Sequence, residues 1–346
     1  MKEEQQFQEE VGYFNRRLSE ILGAEMHEGR TNKILHEVLN YLREVGGKRL
    51  RPVLCLLSAE AVGVRGAGGA GSREKREKAL TTAVAIELLH NASLVHDDII
   101  DENSVRRKNP SSPAKYGEKR AIVIGDFLLG LSCEMLARCG VPAVVGLVGS
   151  AISDVARGQY LEFSLRLKNP EEVTEQTYLE VAGLKTASTF VASTTAGAIL
   201  GGGSEAEVES LRDYGRNLGV AFQIQDDLLD LCGDPAKTGK PSGLDIKNRE
   251  RTLLLVHALN HSKPSEKAYL REIFSSGSNF LSDSEAELEI ERVREIFLNT
   301  GSVDYAIRLS HDFLTAARKS VAGLADSEAK EKLELVAGLA ARSSPK

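Results

Sequence analysis

The spacing Asp-Asp-x-x-Asp occurs twice in the chain, as Asp97-Asp98-Ile-Ile-Asp101 and as Asp226-Asp227-Leu-Leu-Asp230. Residues four apart on a helix stand one above the other, so Asp97 and Asp101 point the same way, with Asp98 beside them. Ser93 and His90 continue the row. Stacked like charges oppose the helix and call for a cation. Hard oxygen donors on a rigid face suit Mg²⁺, which keeps several waters and takes phosphate oxygens as further ligands. A single triplet reads as a solvated helix end. Two copies, each at the polar end of an apolar run, read instead as facing rows that would clamp a diphosphate through several metal ions.

An anionic substrate also needs side-chain cations. The net charge is −6, so these must be clustered locally. The same charge argues against nucleic acid as partner. Gly46-Gly47-Lys48-Arg49-Leu50-Arg51-Pro52 supplies one cluster. Two glycines end a helix and turn the chain, and Pro52 opens the next helix, where backbone N–H groups favour anions. Taken alone, an ordinary basic turn reads the same. Arg106-Arg107-Lys108 supplies three consecutive cations after the first acidic row. Lys185 lies in a small, apolar neighbourhood and reads as an ammonium facing inward, in the helix after Gly158-Gln159-x-x-Glu162. The loop from Ala236 to Asp245, with Lys237 and Lys240, could close over a phosphate or simply be a solvated connection.

These groups must be held by helices. Residues 3–22 and 31–45 show apolar positions at helical spacing, and the proline-free run from Ala79 to the first aspartates reads as the C-terminal half of a helix. Gly66-Ala-Gly-Gly-Ala-Gly71 reads as a flexible helix connection, since no strand precedes it, and the charge run after it reads as solvated. Proline and serine after Arg106–Asn109 predict a loop to Gly117, and Gly125-Asp126 reads as the approach to another helix. A serine-rich connection is expected near 275–284. No run of alternating strands is evident. The expected fold is all-α: a large single-domain helical bundle over 1–346, about a dozen helices around a central apolar shaft. Cys55, Cys133, Cys139 and Cys232 form no Cys-x-x-Cys pair, which fits a reducing, cytoplasmic setting without zinc. No transmembrane segment is evident, because the longest apolar stretch, 141–152, is too short and glycine-rich.

In this order the motifs resemble those of the trans (head-to-tail) isoprenyl diphosphate synthases, over essentially the whole chain: Gly-Gly-Lys-x-x-Arg-Pro, His90, the first aspartate row, Arg106-Arg107, Lys185-Thr186, Phe222-Gln223 before the second row, and Gly239-Lys240. The resemblance implies the isoprenoid synthase fold, a homodimer, and Mg²⁺ as cofactor, three ions with the allylic diphosphate. It implies that Asp97, Asp101 and Asp226 ligate the metal and that Asp230 supports it directly or through water. Arg106, Lys185, Gln223 and Lys240 would hold the allylic diphosphate, with Thr186 helping to position it. Lys48, Arg51, His90 and Arg107 would hold isopentenyl diphosphate. The allylic partner would be a dimethylallyl, geranyl, farnesyl or geranylgeranyl diphosphate. A class I terpene cyclase would not need the second cation cluster, and a non-catalytic subunit would be expected to lose an aspartate row. Small residues at Ala92 and Ser93, with Leu89 deeper, leave room for a product longer than C20; geranylgeranyl (C20) or farnesyl diphosphate is the alternative. One departure stands out: Glu250 replaces a lysine usual in the family, and either Arg249 or Arg251 could substitute for it.

Overall fold

The structure is a computed structural model and describes residues 2–27, 33–64, 70–233, 242–275 and 283–342. The helices are α1 (Lys2–His27), α2 (Lys33–Val45), α3 (Leu50–Ala59), α4 (Ala70–Ile100), α5 (Ser112–Tyr116), α6 (Glu118–Cys139), α7 (Pro142–Arg166) and α8 (Glu175–Ala182). They continue with α9 (Ser188–Gly201), α10 (Glu205–Cys232), α11 (Leu253–His261), α12 (Pro264–Ile273), α13 (Asp283–Asn299), α14 (Ser302–Val321) and α15 (Glu328–Arg342). The all-α expectation holds, with one two-stranded exception noted below. None of the described helices is long and apolar enough to cross a membrane.

The chain forms two compact units. One comprises Met1–Ser150, Thr189–Gly215 and Ser320–Val336; the other comprises Ala151–Ser188, Arg216–Lys319 and Ala337–Lys346. In the first unit α4 is the spine and packs against α3 and α6. Ala79, Leu80, Ala83, Val84, Ala85, Ile86, Leu88, Leu89 and Ala92 are all buried. They cover every side of the helix, the pattern of a helix surrounded by protein. Glu87 is the charged exception, and its carboxylate receives the guanidinium of Arg49 and, at 3.1 Å, the amide of Asn91. Backbones approach closely here: a Cβ on Gly197 of α9 would stand 2.1 Å from the Cys55 carbonyl oxygen on α3.

One sequence expectation gains detail in this unit and one changes. The charge run after the glycine-rich stretch is exposed, as expected, and forms the first turns of α4, where Glu74 and Lys78 pair at 2.8 Å. Of the glycine-rich stretch itself, 65–69 lie outside the described residues. Gly125 does not precede a helix but sits inside α6, where a Cβ would lie 2.1 Å from Nε2 of His96. A glycine that read as a boundary is therefore a packing contact.

The second unit has its own core, centred on Ile224 and Leu228 of α10, Leu255 of α11, Phe274, and Phe297 of α13. α11 packs against α8, α12 and α13. Between α8 and α9 the helix widens into a π turn over Gly183–Ala187. Such widened turns recur at functional sites, and this one carries Lys185 and Thr186. Gly158 of α7 lies directly against it, since a Cβ there would sit 2.5 Å from the Lys185 backbone nitrogen.

Candidate active site

In the first unit the site grows from the C-terminal end of α4. The Asp101 N–H still bonds to the Asp97 carbonyl at 2.8 Å, so the row keeps its helical register past the last assigned residue. Carboxylates at a helix C-terminus also meet the negative end of the helix dipole. Of the three, only Asp98 is buried. It is gripped by Arg106, whose Nε lies 2.8 and 2.7 Å from the two carboxylate oxygens. Burial works against the Arg106 charge, but the Asp98 carboxylate more than offsets this and holds the guanidinium protonated above its ordinary range. Asp97 and Asp101 are half-buried.

Arg106 and Arg107 reach this position on a feature the sequence reading missed. In place of the expected loop, Val105–Arg106 and Asn109–Pro110 pair as an antiparallel hairpin, and a short helix, α5, follows. The two turn residues, Arg107 and Lys108, both have left-handed backbones, with φ of 50° and 68°. That geometry matches strand twist and normally selects Asn-Gly; non-glycine residues in it cost about 1 kcal/mol or more each. The Tyr41 hydroxyl anchors the hairpin by donating to the Pro110 carbonyl at 3.2 Å.

The basic turn at 46–52 meets the hairpin directly. Arg107 Nη1 donates to the Gly46 carbonyl, 61 positions away in sequence. A Cβ on Gly47 (φ 151°) would fall 2.4 Å from that nitrogen, so the glycine is what admits the guanidinium. Of the cations on the turn, Lys48 is exposed. Arg49 turns inward to Glu87, Asn15 and the Leu42 carbonyl, so the turn displays fewer cations than its sequence promises. Arg49 also caps α3 with a left-handed backbone, and α3 begins at Leu50, two residues before Pro52. Arg51 is buried: its Nε donates to Thr189 Oγ1 at 2.7 Å, and its guanidinium lies 4.6 Å above the Phe190 ring. Its Nη1 lies 3.3 Å from His90 Nε2. Arginine only donates, so Nε2 accepts and the imidazole proton sits on Nδ1. Burial, and after it the charges of Arg51, Arg107, Arg106 and Arg49, keep His90 neutral far below its ordinary value. The structure thus brings Arg51, His90 and Thr189 together, and Arg107 with Gly46–Gly47. Further up α4, Ala92 and Leu89 are buried, while Ser93 is half-buried and donates to the His90 carbonyl at 2.8 Å.

In the second unit the row on α10 is differentiated in the same way. Asp226 is exposed and Asp227 is buried. Asp227 accepts from the Tyr178 hydroxyl at 2.7 Å and from Gln223 Nε2 at 2.8 Å. Burial raises its pKa to about 7, against the pull of those two hydrogen bonds. Asp230 accepts the backbone N–H groups of Leu244 and Asp245 at 3.2 and 3.0 Å, tying the following segment to α10. Thr186 donates its hydroxyl to Gln223 Oε1, so residues 186, 223 and 227 form one chain. Lys185 pairs with Glu162 Oε2 at 2.6 Å, an inward ammonium as the sequence predicted. Lys240 lies outside the described residues.

Glu250 does not stand open beside the row, because Arg166 holds it at two points. Arg251 is engaged with the backbone. Its guanidinium is spread over the carbonyls of Leu165, Arg166, Lys168 and Arg249, at 2.9 to 3.3 Å. Arg249 lies 3.8 Å from Glu289.

Residues 32–290 match the family model described as polyprenyl synthetase. A short chain isoprenyl diphosphate synthase of Methanothermobacter thermautotrophicus is 37% identical over 313 residues, covering 89% of this chain and 90% of that one. An octaprenyl diphosphate synthase of Haemophilus influenzae is 32% identical over 85% of this chain and 83% of its own. Among solved structures, a decaprenyl diphosphate synthase from Rhodobacter capsulatus superposes with a TM-score of 0.85 at 29% identity, covering 99% of both chains. The chain belongs to the polyprenyl synthetase family and is a prenyl diphosphate synthase, a transferase.

Proposed function

We propose that the protein condenses isopentenyl diphosphate with an allylic diphosphate, head to tail, and releases an all-trans product longer than C20. The two compact units act as one synthase domain. One observation carries the reading: Arg107 crosses Gly47 to the Gly46 carbonyl, joining the basic turn to the hairpin that grips Asp98. Two cation clusters far apart in sequence thereby become one apparatus at the end of α4.

Arg51, His90 and Arg107, with Lys48, hold the isopentenyl diphosphate. A neutral His90 adds a hydrogen-bonding group without a further charge, and the Phe190 ring and Thr189 hydroxyl fix the Arg51 guanidinium. Lys185, Gln223, Arg106 and Lys240 hold the allylic diphosphate, and Thr186 keeps Gln223 oriented. Mg²⁺ fits the donor set. Asp97, Asp101 and Asp226 would be the ligands, with Asp230 in support, while Asp98 and Asp227 are occupied by Arg106 and by Tyr178 and Gln223. Among the described residues no three such side chains converge on one metal position. Water and phosphate oxygens would therefore complete the shells, as Mg²⁺ prefers. When bound, the ions would neutralise charge growing on the departing diphosphate.

Cleavage of the allylic C–O bond leaves a delocalised cation. The C3–C4 double bond of isopentenyl diphosphate attacks it, and loss of a proton to the departing diphosphate regenerates an allylic diphosphate one C5 unit longer. The buried, apolar face of α4 around Ala92 keeps water from the cation. A homodimer accords with α6, where Ile122, Val123 and Phe127 form an exposed apolar face that a second copy would cover.

Steady-state turnover with each allylic primer tests the reading. Asp97→Ala and Asp226→Ala should each lower turnover by at least ~10²–10³, the cost of one lost transition-state contact. Full turnover in EDTA, or in either variant, would refute the assignment.

A further inference from the structure

Glu250 opens a line of alternating charges that runs through the second unit. Its Oε2 accepts from Arg166 Nε at 3.1 Å, and its Oε1 meets the same guanidinium at Nη2. That Nη2 also lies 3.8 Å from Glu162 Oε2, one turn back along α7. The same Glu162 oxygen receives Lys185 Nζ at 2.6 Å and Gln159 Nε2 at 2.9 Å. The order is therefore Glu250, Arg166, Glu162, Lys185. All four side chains are between 14% and 24% exposed, too enclosed for solvent to screen them away.

The other side of Glu250 leads back to the second aspartate row. Its backbone N–H bonds to the Asp245 carbonyl at 2.8 Å, and the Asp230 carboxylate takes the N–H groups of Leu244 and Asp245. Beside it, Arg251 fastens the same segment to the final carbonyls of α7. The stretch 244–251 thus links the end of α10 to the end of α7 and, through two ion pairs, to the ammonium on the π turn.

We propose that Glu250 is a positioning residue: by holding Arg166 it fixes Glu162, and so sets where the Lys185 ammonium stands relative to Asp230. It serves the allylic diphosphate without touching it, and this rests on the reading of Lys185 above. A lysine at this position would face Arg166 with like charge and compete for Glu162, releasing Lys185. A glutamate is accordingly the residue this α7 requires.

The test is a charge swap in the full-length protein, with both substrates varied and the unfolding midpoint recorded. E250K and R166E should each raise the allylic KM about tenfold and leave the isopentenyl diphosphate KM within about twofold. The double variant R166E/E250K should return the allylic KM to within about threefold of the native protein, because coupled sites are non-additive. In a K185Q background, E250K should cost nothing further. E250Q keeps the volume and one acceptor, and should show a smaller rise of the same kind if R166E does not fold. The proposal is overturned if E250K lowers the allylic KM, which would make position 250 a direct diphosphate contact. It is also overturned if the double variant is no better than the worse single, or if both KM values rise alike. A K185Q variant with an unchanged allylic KM would sink the reading of Lys185 and this proposal with it. An impaired K185Q to which E250K adds its full cost would sink this proposal alone.

Discussion

Replacing Asp98 by Asn probes how the site orders its own cations. The side chain is 1% exposed and the Arg106 side chain 12%, and three nitrogen–oxygen contacts of 2.5 to 2.8 Å join them. The amide keeps the volume but removes the charge, and turns an NH₂ toward a guanidinium that can only donate. Severing one partner of a buried pair costs about 3–5 kcal/mol, because the other charge is left uncompensated. Arg106 retains some solvent, which places the cost near ~3 kcal/mol. At about 2 °C per kcal/mol for a chain of this size, the thermal midpoint should fall by roughly 6 °C. Catalysis should suffer separately: a guanidinium displaced by an ångström can lose ~10² in rate, so kcat/KM for the allylic substrate should drop while that for isopentenyl diphosphate changes less. The double variant Asp98→Asn with Arg106→Gln should melt higher than Asp98→Asn alone, since no buried charge is stranded. An Asp98→Asn protein that melts with the native one, or a double variant whose loss is the sum of the two singles, would refute this.

Two further outcomes are expected. His90 has a folded pKa depressed below its unfolded value of ~6.5, so the native state binds fewer protons, and its stability is fully present above that pH and lost as pH falls through it. His90→Gln should therefore lose less stability than the native protein between pH 7.5 and pH 5.5; denaturation curves at the two pH values check it, and parallel losses in both proteins would contradict it. Ala92 is buried on α4, and Ala92→Phe should shorten the main product to C15 or C20. Overpacking costs ~1–3 kcal/mol, at ~1.4 kcal/mol per decade of rate. Chromatography of the dephosphorylated products decides, and an unchanged length distribution from an active variant would show that this face does not line the growing chain.

Helices and acidic rows were legible in the sequence because their information is local. The apolar periodicity of α1, α2 and α4 and the four-residue aspartate spacing both lie within a few turns. What escaped was long-range or conformational. Nothing near Arg51 points to Thr189, 138 positions away. Arg49 and Arg51 look equivalent in a basic turn, yet one is consumed by Glu87 while the other is oriented by Thr189 and Phe190. Gly125 and Gly47 read as breakers, because a glycine chosen for close approach carries the same letter as one chosen for a turn. The hairpin was hidden because Arg107-Lys108 violates the residue preference by which such turns are recognised. Tyr178 carried no motif at all; only the fold shows it holding Asp227.

That hairpin sets stability against use. Both of its turn residues hold a backbone that glycine or asparagine would adopt more cheaply. Any selection for heat resistance alone would favour Asn-Gly at 107–108, and the gain would delete the guanidinium that reaches Gly46. On the function proposed above, residue 107 is therefore where improving the fold and keeping the enzyme pull the sequence in opposite directions.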